Sequence, residues 1–138
     1  MFLRRKKKKI LPVEFLPAPE IYDQIKDLVA RMKLDFIDVD QIKCVRSYYS
    51  KSRAYARIWS MSRVFLETLN MKPVYIIEVL SHYYDKLQEA EKTKVLIHEL
   101  LHIPKTFSGA LKSHRGPNHR VDRHEVQRWY EKISTPVG

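Results

Sequence analysis

The chain has 138 residues, of which 44% are hydrophobic and 11% aromatic, and this suits one globular domain with an ordinary core. The formal net charge of +10 favours polyanionic partners. A single cysteine, Cys44, excludes an intramolecular disulfide and a cysteine-based zinc site, which makes the cytoplasm the expected compartment. No apolar stretch is long enough to cross a bilayer, so no membrane contact is expected.

The N-terminal stretch is strongly basic. Residues 4–9 form an unbroken run of cations: Arg4, Arg5, Lys6, Lys7, Lys8 and Lys9. We predict a flexible arm over residues 1–16 that can contact the phosphates of DNA or RNA. A solvated tail that keeps the protein soluble is an equally good interpretation. The apolar stretch 10–15 is short and interrupted by Pro12 and Glu14, so we expect no secretory signal.

The next segments alternate between helical and extended patterns. Apolar residues recur at helical spacing over residues 20–33, which predicts the first helix. Residues 42–49 and 54–59 read as two strands joined by the turn at 50–52, which favours a hairpin. Residues 62–69 read as a short helix capped by Ser60 or Ser62, with Val64, Phe65 and Leu69 facing inward.

Residues 74–80 are the strongest strand candidate because they are rich in β-branched side chains. If this strand lies at the sheet edge, Tyr75 and Ile77 would bind an extended peptide that adds to the sheet as a further strand. An interior strand with both faces buried is the alternative. The sequence leaves both open.

The stretch from His98 to His102 has the pattern H-E-x-x-H on a predicted helix that begins near residue 85. Two histidines four residues apart turn to one side of a helix, where they can share a Zn²⁺ ion, and Glu99 is then placed as a base. Pro104 would end the helix. Three apolar residues fall on the opposite side and predict its buried face: Leu96, Leu100 and Ile103. Surface histidines are the simpler alternative.

A zinc ion that supports hydrolysis needs three protein ligands and one open position. The loop at residues 105–117 contains His114, and the last predicted helix, residues 118–133, starts with His119. We expect His114 to be the third ligand, with His119 as the alternative. Three further candidates remain in the last helix: His124, Glu125 and Glu131.

Residues 98–109, HELLHIPKTFSG, followed by Leu111 and His114, resemble a family of small archaeal and phage metallopeptidases, itself similar to the SprT-like minimal zincins. The resemblance covers residues 17–130. It implies a minimal zincin-like α+β fold, with a small mixed or antiparallel sheet packed on the H-E-x-x-H helix and flanking helices. It also implies one domain over residues 17–134 and a tail over 135–138. Ala110 stands where members tend to have a glycine.

The same resemblance implies zinc ligation by His98, His102 and His114, and a general base at Glu99. The expected activity is hydrolysis of peptide bonds through a water activated by one Zn²⁺ ion. The net charge extends this hypothesis to substrates associated with nucleic acid. Two other classes stay open: a basic nucleic-acid-binding module with a structural zinc, and a latent or non-catalytic zincin-like binding protein.

Overall fold

A computed structural model describes residues 11–113 and 121–135. The strands are β1 (Glu14–Pro17), β2 (Ile42–Tyr48), β3 (Ala56–Ser60) and β4 (Tyr75–Leu80). The helices are α1 (Pro19–Arg31), α2 (Arg63–Thr68), α3 (Ser81–Tyr84), α4 (Glu89–Leu101) and α5 (Arg123–Ser134), and a 3-10 turn spans Val39–Gln41. The chain has an α+β, small zincin-like fold, as predicted.

The four strands form one sheet in the order β1-β2-β4-β3. β2 and β4 are parallel, with Cys44 opposite Ile77, whereas β3 and β4 are antiparallel, with Ile58 opposite Ile77. The predicted hairpin of β2 and β3 is therefore wrong, because β4 lies between them. A mostly apolar strand such as β4 gains more burial in the interior of a sheet than at its edge, and this favours the observed order.

The N-terminal residues contribute more structure than the predicted arm. Glu14–Pro17 pairs antiparallel with β2, so the last residues of the expected arm belong to the sheet. The basic run Arg4, Arg5, Lys6, Lys7, Lys8 and Lys9 lies outside the described residues. The arm prediction therefore applies only to the part of the chain before β1.

The sheet has an inner face that packs against α1 and α4, and an outer face on the other side. Ile42, Cys44, Tyr75, Ile77 and Val79 point inward and join the core with apolar residues of both helices. The strand register places ten residues on the outer face: Phe15, Pro17, Lys43, Val45, Ser47, Arg57, Trp59, Ile76, Glu78 and Leu80. Helices α1 and α4 therefore pack on the same face of the sheet.

The short helix α2 was predicted correctly, but its orientation was not. Val64, Phe65 and Leu69 are exposed, whereas Leu66 is buried. The Cδ1 atom of Leu66 lies beside Gly109, which shows that the helix packs through this side chain against the loop after α4. An apolar stripe on so short a helix does not indicate which neighbour is available to cover it.

The predicted buried face is present: Leu96 and Leu100 of helix α4, and Ile103 just after the helix, are almost fully enclosed. Helix α4 ends at Leu101, and His102 is its C-cap, so the helix stops before Pro104 rather than at it. The last helix begins at Arg123, later than predicted, where Asp122 accepts a hydrogen bond from the Glu125 amide and caps it. Within residues 11–113 and 121–135, no helix is long and apolar enough to span a membrane.

Candidate metal centre and active site

Helix α4 brings His98 and His102 together at its C-terminal end. Their Nε2 atoms are 3.2 Å apart, and the ring centroids are separated by 4.9 Å. Two ring nitrogens at this separation share either a proton or a cation. Tetrahedral zinc with nitrogen ligands at about 2.0–2.1 Å would place two ligand atoms roughly 3.3 Å apart, so the pair fits such an ion.

The ring of His102 is oriented by the loop that follows the helix. Its Nδ1 atom lies 2.6 Å from the main-chain oxygen of Lys112, and because a carbonyl only accepts, Nδ1 carries the hydrogen. The Lys112 amide in turn donates to the carbonyl of His102 over 2.7 Å. In a neutral imidazole, this arrangement leaves Nε2 with the lone pair that a metal needs.

Tyr75 holds that loop in place from the centre of the sheet. Its hydroxyl accepts a hydrogen bond from the Gly109 amide at 2.8 Å and donates to the Ala110 carbonyl at 2.9 Å. Gly109 has a φ of +94°, a conformation that favours glycine at this turn. Phe107 packs against the Tyr75 ring, with the centroids 5.0 Å apart. A buried side chain therefore fixes the loop that supports His102.

This position contradicts the substrate-binding role predicted for Tyr75 and Ile77. Both side chains are fully buried, and β4 is flanked by β2 and β3. An interior strand has its main-chain groups paired on both sides, so it cannot accept a peptide. The signal was present in the sequence, because a run that is apolar except for Glu78 is typical of a strand buried on both faces.

Glu99 is enclosed beside the two histidines, with only 7% of its surface exposed. Burial raises the pKa of the Glu99 carboxyl to about 7, because the charged form loses its hydration. A carboxylate with a pKa near neutrality can both take up and release a proton under ordinary conditions. The burial and raised pKa of Glu99 are compatible with the predicted role of a general base.

Two clefts meet at Glu99, between α4 and the edge strand β3. The larger, about 740 Å³, includes His98 and reaches α5 through Arg123, Val126 and Gln127. The smaller, about 410 Å³, includes His102 and Lys112. Ala54, Ala56 and Glu99 line both of them. The sequence analysis missed this groove, because it depends on β3 being at the sheet edge beside α4.

Both residues predicted as the third ligand, His114 and its alternative His119, lie outside the described residues, in the gap between residues 113 and 121. His124, Glu125 and Glu131 are described, but they do not complete a site with the α4 pair. Across residues 11–113 and 121–135, no group of three His, Cys, Asp or Glu residues is positioned to hold a metal ion.

Cys44 has no place in this site. It is buried in β2, and desolvation raises the pKa of its thiol to about 12, which keeps it protonated and unreactive at neutral pH. The ligands that α4 offers are imidazole nitrogens, which suit zinc, copper, iron and nickel.

Residues 13–135 match the model of a protein family described as "Putative phage metallopeptidase". No curated protein and no solved structure matches the chain. A family of metallopeptidases implies a metal cofactor, in accord with the paired imidazoles at the end of α4. Because the match covers more than half of the chain, this protein belongs to that phage metallopeptidase family.

Proposed function

We propose that the chain is a zinc-dependent peptidase in which His98 and His102 hold the metal and Glu99 is the general base. The observation that carries the proposal is the 3.2 Å separation of the two Nε2 atoms next to a buried glutamate. Family membership supports the peptidase class, and the pairing of imidazoles supports zinc.

Zinc, when bound, lowers the pKa of a coordinated water to about 7 and polarises the substrate carbonyl. The Glu99 carboxylate takes a proton from the water while the water oxygen forms a bond to the peptide carbon. Glu99 then returns this proton to the leaving nitrogen as the C–N bond breaks. His102 keeps its orientation through the Nδ1 hydrogen bond to Lys112.

The edge strand β3 is the part of the sheet best placed to hold a substrate. It pairs with β4 on one side, and its residues line both clefts on the other. An extended peptide aligned with β3 would form main-chain hydrogen bonds and pass over Glu99. The net charge of +10 favours protein substrates that are associated with nucleic acid.

We include His114 as the third ligand, with His119 as the alternative. The support is the path of the preceding loop, which returns to the site where Lys112 pairs with His102. His114 follows Lys112 by only two positions in the sequence. A single-site substitution of each histidine, followed by zinc analysis, separates the two.

The deciding experiment is Glu99→Gln, measured for zinc content and for cleavage of an unfolded protein substrate. Loss of the general base should reduce turnover by on the order of 10²–10⁴, with zinc retained. Glu89→Gln, an exposed change in the first turn of the same helix, is the matched control and should leave both quantities unchanged. Undiminished cleavage by Glu99→Gln would refute the assignment.

A further inference from the structure

The segment from residue 41 to residue 66 is unusual in its charge. It contains six cationic residues and no aspartate or glutamate: Lys43, Arg46, Lys51, Arg53, Arg57 and Arg63. Arg46 faces the helices, where it pairs with Glu20 and Asp85, and Arg63 pairs with Glu67. Lys43, Lys51 and Arg53 are exposed. These three cations lie on or next to the outer face of the sheet.

The outer face also presents ring and apolar surface next to these charges. Lys43, Ile76 and Trp59 are neighbours in one row across β2, β4 and β3. Trp59 is 47% exposed and Ile76 37% exposed, and neither belongs to the core. Strands lie about 4.7–4.9 Å apart, so the row places an indole roughly 10 Å from the lysine backbone.

A buried carboxylate holds the indole in one orientation. Glu78 has no exposed surface, and it accepts hydrogen bonds from Arg57 at 3.0 and 3.2 Å and from Trp59 Nε1 at 2.8 Å. The Arg57 guanidinium lies 5.2 Å from the centre of the Trp59 ring. The polar edge of the indole is thereby occupied, and its ring is left partly open to solvent.

The loop between β2 and β3 is fixed to the same network. The Ser50 hydroxyl accepts hydrogen bonds from the Ser52 amide and from Arg57, and the Ser52 hydroxyl accepts one from the Ala54 amide. Tyr49, at the start of this loop, is 54% exposed. These bonds hold the loop that carries Lys51 and Arg53 beside the Arg57–Trp59 pair.

We propose that the outer face binds single-stranded nucleic acid, with Trp59 and Tyr49 stacking on bases and Lys43, Lys51 and Arg53 contacting phosphates. Charge complementarity indicates a polyanion, and exposed rings indicate a ligand whose bases are unpaired, because a duplex keeps its bases stacked inside. An anionic lipid surface would attract the cations but would not use an oriented ring for stacking. The proposal does not depend on peptidase activity.

Binding can be followed with Trp59 itself. The chain contains two tryptophans, so the full-length Trp129→Phe protein retains Trp59 as its only indole fluorophore. Titration with oligothymidylate of about 16 nucleotides should quench Trp59 emission, and the affinity should fall as salt rises. A duplex of the same length, or vesicles containing anionic phospholipid, should compete poorly.

Charge reversal tests the surface. Lys43→Glu/Lys51→Glu/Arg53→Glu should weaken oligothymidylate binding by on the order of ten- to a hundredfold. The control Lys26→Glu/Lys33→Glu/Lys86→Glu makes the same change in net charge at exposed positions outside the outer face, and should weaken binding much less. The N-terminal basic run is identical in both proteins, so its contribution cancels.

Ring substitution tests stacking separately. Trp59→Ala should weaken binding by roughly five- to a hundredfold, whereas Trp59→Phe keeps a stacking ring and should retain most of the affinity. These two variants are compared with fluorescein-labelled oligothymidylate by anisotropy. Equal affinities of the two triple variants, an unchanged Trp59 emission on saturation, or better binding of the duplex or of vesicles would each overturn the proposal.

Discussion

The Nδ1–H of His102 donates to the main-chain oxygen of Lys112, and the Lys112 amide donates back to the carbonyl of His102. The two residues are thereby joined at two points, one through a side chain and one through the main chain. A metal-ligating histidine depends on such a partner for its tautomer and ring orientation. The loop after α4 is therefore part of the proposed metal centre.

Lys112→Pro should weaken zinc binding by roughly 10–100-fold, because it removes the amide that anchors the loop to His102. Lys112→Ala keeps this amide and is the matched control, expected to bind zinc as the parent does. Competition with a zinc chelator measures both affinities, and circular dichroism checks that the fold is kept. Equal zinc affinities of the two variants would contradict the role of the loop.

Tyr75→Phe should destabilise the protein by about 1–3 kcal/mol, because the Gly109 amide and the Ala110 carbonyl both lose a buried partner. Tyr84→Phe is the control: its hydroxyl is also buried, but no hydrogen-bond partner is found for it in the described part of the chain. We expect that change to be close to neutral. Urea unfolding followed by circular dichroism gives both free energies, and comparable losses would refute the anchoring role of Tyr75.

Acid should destabilise the fold below about pH 4.5. Burial alone would raise the pKa of Glu78, but hydrogen bonds from Arg57 and Trp59 outweigh it and lower the pKa. A carboxyl with a lowered folded-state pKa stabilises the protein above its unfolded pKa, and this contribution is lost as the pH falls through the folded value. The same sign applies to Glu20, whose pKa is lowered by Arg46, and to Asp85, whose pKa is lowered by hydrogen bonds from Ser81 and Arg46 that outweigh its burial.

Glu78→Gln should therefore reduce the loss of Tm between about pH 6 and pH 3, the range in which carboxyl groups titrate. It should also lower the Tm at pH 6, because the ion pair with Arg57 is removed. Glu67→Gln, an exposed position in α2, is the control and should leave the pH profile as it is. A Glu78→Gln profile parallel to that of the parent would show that this carboxyl does not contribute.

Zinc removal should lower the Tm of the parent protein, since a ligand that binds only the folded state stabilises it. His98→Ala and His102→Ala should abolish this response to a chelator, because each removes one of the paired nitrogens. His82→Ala is the control, as His82 is an exposed residue of α3 that packs on Tyr83. A chelator effect that survives in His98→Ala would place the metal elsewhere.

The sequence by itself determined the elements whose signals are local. His102 follows His98 by four positions, and helical geometry then brings both rings to one side, with Leu96 and Leu100 on the other. The position of β4 as a strand followed in the same way from its β-branched run. These predictions hold because the spacing at which side chains return to one face of a helix or strand is set by the local backbone geometry.

Only the tertiary structure decided how the elements are arranged. β2 and β3 follow one another in sequence, but the apolar β4 takes the place between them, and this makes β3 the edge of the groove. For the same reason Tyr75 is an anchor rather than a substrate contact, and Phe65 of α2 faces solvent. The packing partner of each apolar surface depends on how much area distant segments can bury against it. The local periodicity of the sequence does not contain this information.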